Sequence, residues 1–176
     1  MLINNLDIQH KPMIELRPFQ FSDKANLMAI LNDKQVCRYL SSKIPFPYTE
    51  SDANWWIETG SQEGVIRAIV LNDELIGCIG VCAGDFEYQH SGEIGFWLSP
   101  SCWGQGITAT AVNKIVEDVF SNTEITRIFG AVFSGNTASM RVLAKCGFKA
   151  EAVLQRSIFK NGVYFDNHIF SKLKSI

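Results

Sequence analysis

Apolar and polar positions change rhythm several times along the chain, and each change marks an element. Ile14, Glu15, Leu16 and Arg17 alternate with the period of a strand, which Pro18 closes. Ser22 is placed to cap a helix that carries Ala25, Leu27, Met28, Ile30 and Leu31 at helical spacing. A shorter helical piece follows from Asp33 to Leu40. The segment SSKIPFPYTES is then extended by Pro45 and Pro47, and it is aromatic through Phe46 and Tyr48. Thr49 and Asp52 have the spacing of a capping box and open a helix through Trp55, Trp56 and Ile57.

Beyond residue 64 the rhythm becomes that of strands. Val65 to Leu71 and Leu75 to Cys82 are two, with Asn72-Asp73 in the tight turn between them. Glu93 to Ser99 is a third. There Glu93, Gly95, Trp97 and Ser99 share one face, while Ile94, Phe96 and Leu98 face the core. From Ile107 to Phe120 apolar residues return every three or four positions, and Asn113, Lys114, Glu117 and Asp118 fill the opposite face of a long helix. Arg127 to Phe133 is a strand, and Asn136 to Cys146 a helix ended by Gly147. Phe148 to Phe159 and Val163 to Phe170 are strands joined at Asn161-Gly162. The order predicts an α+β fold with one strand–helix–strand crossover in its middle. Crossovers of that kind place ligands at strand C-terminal ends and helix N-termini. No linker or repeat divides the sequence, so residues 1–176 are expected to form a single domain with an extension over 1–12.

Composition narrows the function classes. Hydrophobic residues make up 47% of the 176 and charged ones 19%, which excludes a disordered tail or a coiled coil. Sixteen Lys and Arg against eighteen Asp and Glu give a net charge of −2. No basic run stands out, so phosphate neutralisation along a nucleic acid is not expected. A charged ligand must be held by a local device. No stretch approaches the ~18 apolar residues of a membrane span, and the first residues lack the basic head and apolar run of a signal peptide. The five cysteines, Cys37, Cys78, Cys82, Cys102 and Cys146, are odd in number and sit among apolar neighbours. They predict buried free thiols in a reducing cytoplasm, and no spacing suits a metal.

The local device is the loop Ser99 to Gly106. Gly104 and Gly106 let the backbone turn and approach a ligand, and the first amides of the following helix lack intrahelical partners. Alone, the loop serves equally as an ordinary turn. Past the next strand, however, stands Asn136-Thr137-Ala138-Ser139-Met140-Arg141-Val142-Leu143-Ala144-Lys145-Cys146-Gly147-Phe148. Together, WGQG and NTASMRVLAKCGF resemble the acetyl-CoA-binding motif and following helix of the GNAT N-acetyltransferases. IELRPFQFSD, EIGFWLSPSCWGQG and NGVYFDNHIFSKL resemble the branch that contains the ribosomal-protein N-terminal serine and alanine acetyltransferases. The likeness runs from about Met13 to Leu173.

The resemblance implies a mixed, mostly antiparallel, twisted sheet of about seven strands. It implies acetyl-CoA as co-substrate, with pyrophosphate on the amides of Trp103, Gly104, Gln105, Gly106, Ile107 and Thr108. Pantetheine would lie between the strands Glu93–Ser99 and Arg127–Phe133, with a backbone N–H at a bulge near Trp97 or Leu98 polarising the thioester. Asn136 would touch the cofactor chain and Ser139 the sulfur. Lys145, with Arg141 one turn earlier, would meet either the phosphates or solvent. Two departures stand out. Thr108-Ala109-Thr110 replaces the branch's Ala-Thr-Glu, and Leu143 occupies the position where many relatives carry a Tyr as general acid.

The reaction implied is direct attack of a neutral amine on the thioester. At pH 7 an α-amine of pKa about 7.8 costs ~1 kcal/mol to deprotonate, and a lysine-like amine of about 10.4 costs ~4.6. An N-terminal acceptor therefore asks less of a base. Glu93 is the candidate base, with Gly95 leaving room beside it; its alternative is a solvated Glu on a polar strand face. Ser139 shares a helix face with Asn136 and is the candidate partner of the departing thiolate, or else bonds back to its own helix. Asn136 suits an N-cap as well as a cofactor contact. His168 either lines the substrate mouth or is structural, and His90 is a surface residue. Trp55 and Trp56, with Phe46 and Tyr48, are core or acceptor wall. The leading expectation is acetylation of a protein or peptide N-terminus, a ribosomal one among the possibilities. A small amine such as a polyamine, aminoglycoside or amino-acid analogue is the rival, and a non-catalytic acyl-CoA-binding module a third reading. A monomer or a homodimer is expected. Acceptor choice should reside in the loops around 41–60, 84–92 and 160–166.

Overall fold

In the computed structural model, which describes residues 13–175, both hairpin turns form as their residues demand. Asn72 and Asp73 take φ of 52° and 65°, and Asn161 and Gly162 take 51° and 79°. These left-handed pairs match the twist of the strands they connect. They join β2 (Val65–Leu71) to β3 (Glu74–Ala83), and β6 (Lys149–Lys160) to β7 (Val163–Leu173). With β1 (Glu15–Arg17), β4 (Ser91–Leu98) and β5 (Arg127–Phe133) they form one seven-stranded sheet, in the order β1-β2-β3-β4-β5-β7-β6. Neighbours are antiparallel except β4 and β5, which run parallel. The expected α+β architecture is thus present, with α4 (Ile107–Asn122) as the crossover.

Two hydrophobic layers sandwich the sheet. On one face α4 and α5 (Thr137–Lys145) press Val112, Ile115, Val116 and Leu143 onto Ile79, Ile94, Ile128 and Phe170. On the other, α1 (Lys24–Leu31) and α3 (Glu50–Glu58) press Leu27, Ile30, Ala53 and Ile57 onto Ile66, Ala68, Val70 and Cys78. Each fully buried Leu or Ile, such as Leu27, Ile79 and Ile115, contributes roughly 1.5–3 kcal/mol. The second layer stops at β4, where Trp97 is its last partly buried neighbour. The face of β5 and β7 beyond it is left for another use.

Local signals set the helix starts, with one correction. The box at Thr49 forms: Asp52 N donates to Thr49 Oγ1 (3.3 Å), and Thr49 N to Asp52 Oδ2 (2.7 Å). Asp33 accepts from Gln35 N and caps α2 (Lys34–Cys37), which is shorter than expected. Ser22, however, does not cap α1. A single 3-10 turn, Phe21–Asp23, precedes that helix. The Asp23 carboxylate accepts from Gln20 N (2.8 Å) and from both terminal nitrogens of Arg17 (2.7 Å each). A carboxylate held bidentately by a guanidinium outcompetes a hydroxyl for that place. Asp23 is 3% exposed. Asp23→Ala should therefore strand a largely buried guanidinium and cost about 3 kcal/mol. Urea unfolding reads this directly; a loss below about 1 kcal/mol would remove the pair from the fold's main supports.

Candidate active site

The site begins where the parallel pair fails. β4 and β5 are in register only at Ser91↔Arg127, Gly92↔Ile128 and Glu93↔Phe129, although β4 continues to Leu98 and β5 to Phe133. Beyond Glu93 the two strands splay. Which groups line the gap follows from the flanking ladders. Gly84 N donates to Ser91 O (2.9 Å) and Ser99 N to Ile76 O (2.7 Å). Odd-numbered residues of β4 therefore turn their main-chain groups to β3, and Phe96 and Leu98 turn theirs to the gap. Trp103 Nε1 occupies the Leu98 carbonyl (2.8 Å), so the Leu98 N–H faces the opening. On the other side Ser134 N donates to Asp166 O and Lys174 N to Thr126 O (2.8 Å each), which leaves Ala131 N–H and C=O facing the gap. The expected bulge near Trp97 or Leu98 is not there. The β3–β4 ladder runs unbroken from Gly77↔Leu98 to Ala83↔Gly92. Loss of the parallel pairing, not a bulge, makes the opening.

The gap leads to the glycine loop. Gly104 and Gly106 both sit at φ 76°, and Gly106 is the N-terminal boundary of α4 with no side-chain cap. Among the described residues the N–H groups of Gly104, Gln105, Gly106, Ile107, Thr108 and Ala109 have no hydrogen-bond partner. Six consecutive donors at a helix N-terminus suit a phosphate. The loop is pinned by the Trp103 indole and by Gln105 Nε2, which donates to Ser101 O (3.0 Å). Cys146 Sγ packs against Ala109 O at 3.5 Å, so the end of α5, with exposed Lys145, lies beside the first turn of α4. Arg141 instead bonds Thr137 (3.2 Å to Oγ1).

The N-cap reading of Asn136 is realised: its Oδ1 accepts from Ser139 N at 3.3 Å. Its amide nitrogen and the Ser139 hydroxyl have no partner among the described residues. Leu143 is fully buried against Gly130, where a methyl group would lie 2.8 Å from Leu143 Cδ1.

Cross-strand pairing places Glu93, Phe129, Ala131 and Phe133 on the face that α1 and α3 leave uncovered. Glu93 stands at the closed end of the splay. Glu93 is exposed, but partial desolvation still raises its carboxyl above the ordinary glutamate value, and the ammonium of Lys43 opposes that shift. A methyl group on Gly95 would meet nothing within 4 Å, so open space adjoins the carboxylate. Cys82 pairs with Glu93 across β3 and β4 and is exposed rather than buried as expected; partial desolvation and then the carboxylates of Glu93 and Glu63 push its thiol up.

The sequence matches the acetyltransferase (GNAT) domain family over residues 14–149. The chain belongs to the GNAT acetyltransferases. It is 37% identical over 101 residues to an uncharacterized N-acetyltransferase of Bacillus subtilis, YoaA, spanning 57% of this chain and 56% of that one. It is 30% identical over 114 residues to the ribosomal-protein-serine acetyltransferase of Escherichia coli, spanning 64% and 63%. Its fold is similar to that of RimL, a ribosomal L7/L12 α-N-protein acetyltransferase solved with coenzyme A (TM-score 0.80, 20% identity, 92% and 94% of the chains). It is also similar to spermidine N-acetyltransferase from Vibrio cholerae, solved with CoA and spermine (TM-score 0.75, 21% identity, 92% and 95%).

Within this GNAT frame several sequence candidates fall away from the opening. His168 pairs with Val132 on the α4–α5 face, opposite to Glu93, so it does not line the acceptor side. Tyr48 is buried, and its backbone bonds both ends of the Asn32 amide (2.8 and 2.9 Å). Trp56 packs edge-on against Phe19, centroids 5.8 Å apart, within the layer of α1 and α3. His90, by contrast, is on the surface as the sequence predicts, 2.7 Å from Glu124 O. Sequence reasoning missed Lys43 and Tyr39, because nothing local signals which side chains from residues 38–44 fold over β4 and β5. Among the described residues no helix is long and apolar enough to cross a membrane.

Proposed function

We propose that this acetyltransferase transfers the acetyl group of acetyl-CoA to a protein or peptide N-terminal α-amine by direct attack. One observation carries the reading: a three-pair parallel seam that splays open with Glu93 at its closed end and a row of unpaired amides beyond its open end. The opening suits an extended, amide-bearing chain that adds to the sheet edges as a strand would. Ala131 N–H and C=O, and the Asn136 amide nitrogen, are the groups that would hold it. The loop amides of 104–109, with Lys145 beside them, would hold its phosphates. Leu98 N–H would donate to the thioester carbonyl oxygen; a single donor of this kind contributes about 3 kcal/mol.

Glu93 then removes the proton from the amine, directly or through water, as nitrogen bonds the carbonyl carbon. The bond to sulfur breaks, and Ser139 offers its hydroxyl to the departing thiolate. A carboxylate with a raised pKa is a better base than a free one, and an α-amine asks less of it than a lysine-like amine does. Lys43 disfavours a polyamine, whose second ammonium would meet its charge near Glu93.

CoA release from acetyl-CoA, followed with a thiol reagent across Ser-, Ala- and Met-starting peptides, spermidine and an aminoglycoside, tests the reading. Preference for a peptide terminus is expected. Preference for spermidine would transfer the same site to the small-amine function, and acetyl-CoA binding without any turnover would leave a binding module.

A further inference from the structure

We propose that Tyr39 reads the residue next to the reacting amine, and that Lys160 is the positioning residue that holds Tyr39 there. The proposal rests on the peptide-acceptor reading above.

Tyr39 follows the short helix α2 and lies over the end of β5. Its ring meets Phe133 edge-on, centroids 6.2 Å apart, and Phe133 meets Phe165 of β7 at 5.5 Å. Phe133 shares the sheet face of Glu93 and Ala131. The Tyr39 hydroxyl rests against Gly135, where a Cβ would come within 3.1 Å, and it has no hydrogen-bond partner among the described residues. Gly135, at φ 94°, therefore provides both the turn and the room.

Lys160, at the end of β6, supplies the anchor. Its Nζ donates to the carbonyls of Cys37 (2.9 Å), Arg38 (3.3 Å) and Leu40 (2.6 Å), which flank Tyr39 on both sides. Cys37 O also accepts from Leu40 N (3.2 Å), so the ammonium gathers three carbonyls of the tight turn that follows α2. The clasp ties the start of the 160–166 loop, expected to choose the acceptor, to the turn just before the 41–60 loop, across 120 residues of sequence.

Strand rise gives the scale. At about 3.3 Å per residue, Phe133 lies roughly 7 Å beyond Ala131 along β5. An amine over Gly95 and Ala131 thus has the Tyr39–Phe133 pair at about the reach of the second residue of an extended peptide. The aromatic rings offer that side chain an apolar wall, and the hydroxyl offers its main chain a bond.

The test compares kcat/KM for two hexapeptides, Ser-Leu- and Ser-Gly-starting, with acetyl-CoA affinity measured in parallel. The parent should prefer the Leu peptide through KM. Tyr39→Ala and Lys160→Met should each shrink that preference at least about five-fold with acetyl-CoA Kd unchanged within two-fold, and Lys160→Arg should restore most of it. Tyr39→Phe, which keeps the ring and the fold, should raise KM for both peptides and leave kcat unchanged. An unaltered preference in the Tyr39→Ala and Lys160→Met variants, or acetyl-CoA affinity falling in step with kcat/KM, overturns the proposal while the function stands. A parent that acetylates neither peptide removes the function reading itself, and this assignment with it.

Discussion

Glu93→Gln is expected to lower kcat about 100-fold or more while acetyl-CoA binds as before, the usual range for loss of a general base. The pH profile adds a second readout. The base must be ionised, so activity in the parent should fall as pH drops through the Glu93 value, and that limb should lie above the ordinary glutamate range because the carboxyl is desolvated. Stability should move the other way. A raised value means that the folded chain holds this proton more tightly than the unfolded one. The associated stability is complete below the unfolded value and is lost as pH rises through the folded value. At neutral pH the ionised Glu93 is therefore a net cost to the fold. Glu93→Gln should raise Tm at pH 7 and change it little near pH 3.5. An unchanged kcat would return Glu93 to the status of a solvated strand residue.

Gly106→Val should weaken acetyl-CoA binding about 30-fold, or roughly 2 kcal/mol. The space around Gly106 is open, with nothing within 4 Å of a Cβ, so the effect is one of backbone rather than crowding. Its φ of 76° is costly for any side chain and most of all for a β-branched one. Relaxing it turns the 104–109 amides away from a common point. Calorimetric titration with CoA reads the change, and Gly95→Ala, at a position of ordinary φ, is the control. Equal affinities in parent and variant would remove the loop from the phosphate site.

What sequence made legible was local chemistry. Asn72-Asp73 and Asn161-Gly162 stand out because few residues tolerate positive φ, and Thr49 and Asn136 because a cap is decided within three residues. The Ser22 expectation failed for a non-local reason: Arg17, six residues from Asp23, draws that carboxylate into the turn. The extent of the β4–β5 opening was equally hidden. It depends on where two strands separated by a whole helix stop pairing, and no residue between Glu93 and Leu98 announces it. Nothing local marks Lys160, since its partners lie at Cys37 to Leu40. His168 had the right alternation, but a strand has two faces, and only the pairing with Val132 says which one it takes.

The short seam also has a thermodynamic meaning. Three residue pairs join an antiparallel half, β1 to β4, to a second antiparallel half, β5 to β7, and otherwise the halves are bridged by the helices of one layer and by the contacts of Tyr39 and Lys160. Main-chain groups along the open stretch exchange their hydrogen bonds with water, so local opening starts there at little expense in buried apolar surface. A ligand lying in the gap replaces the missing ladder and couples the halves into one cooperative unit. At a concentration 100 times its Kd it adds about 2.7 kcal/mol to the unfolding free energy, and amide hydrogen exchange would slow on both flanking strands together.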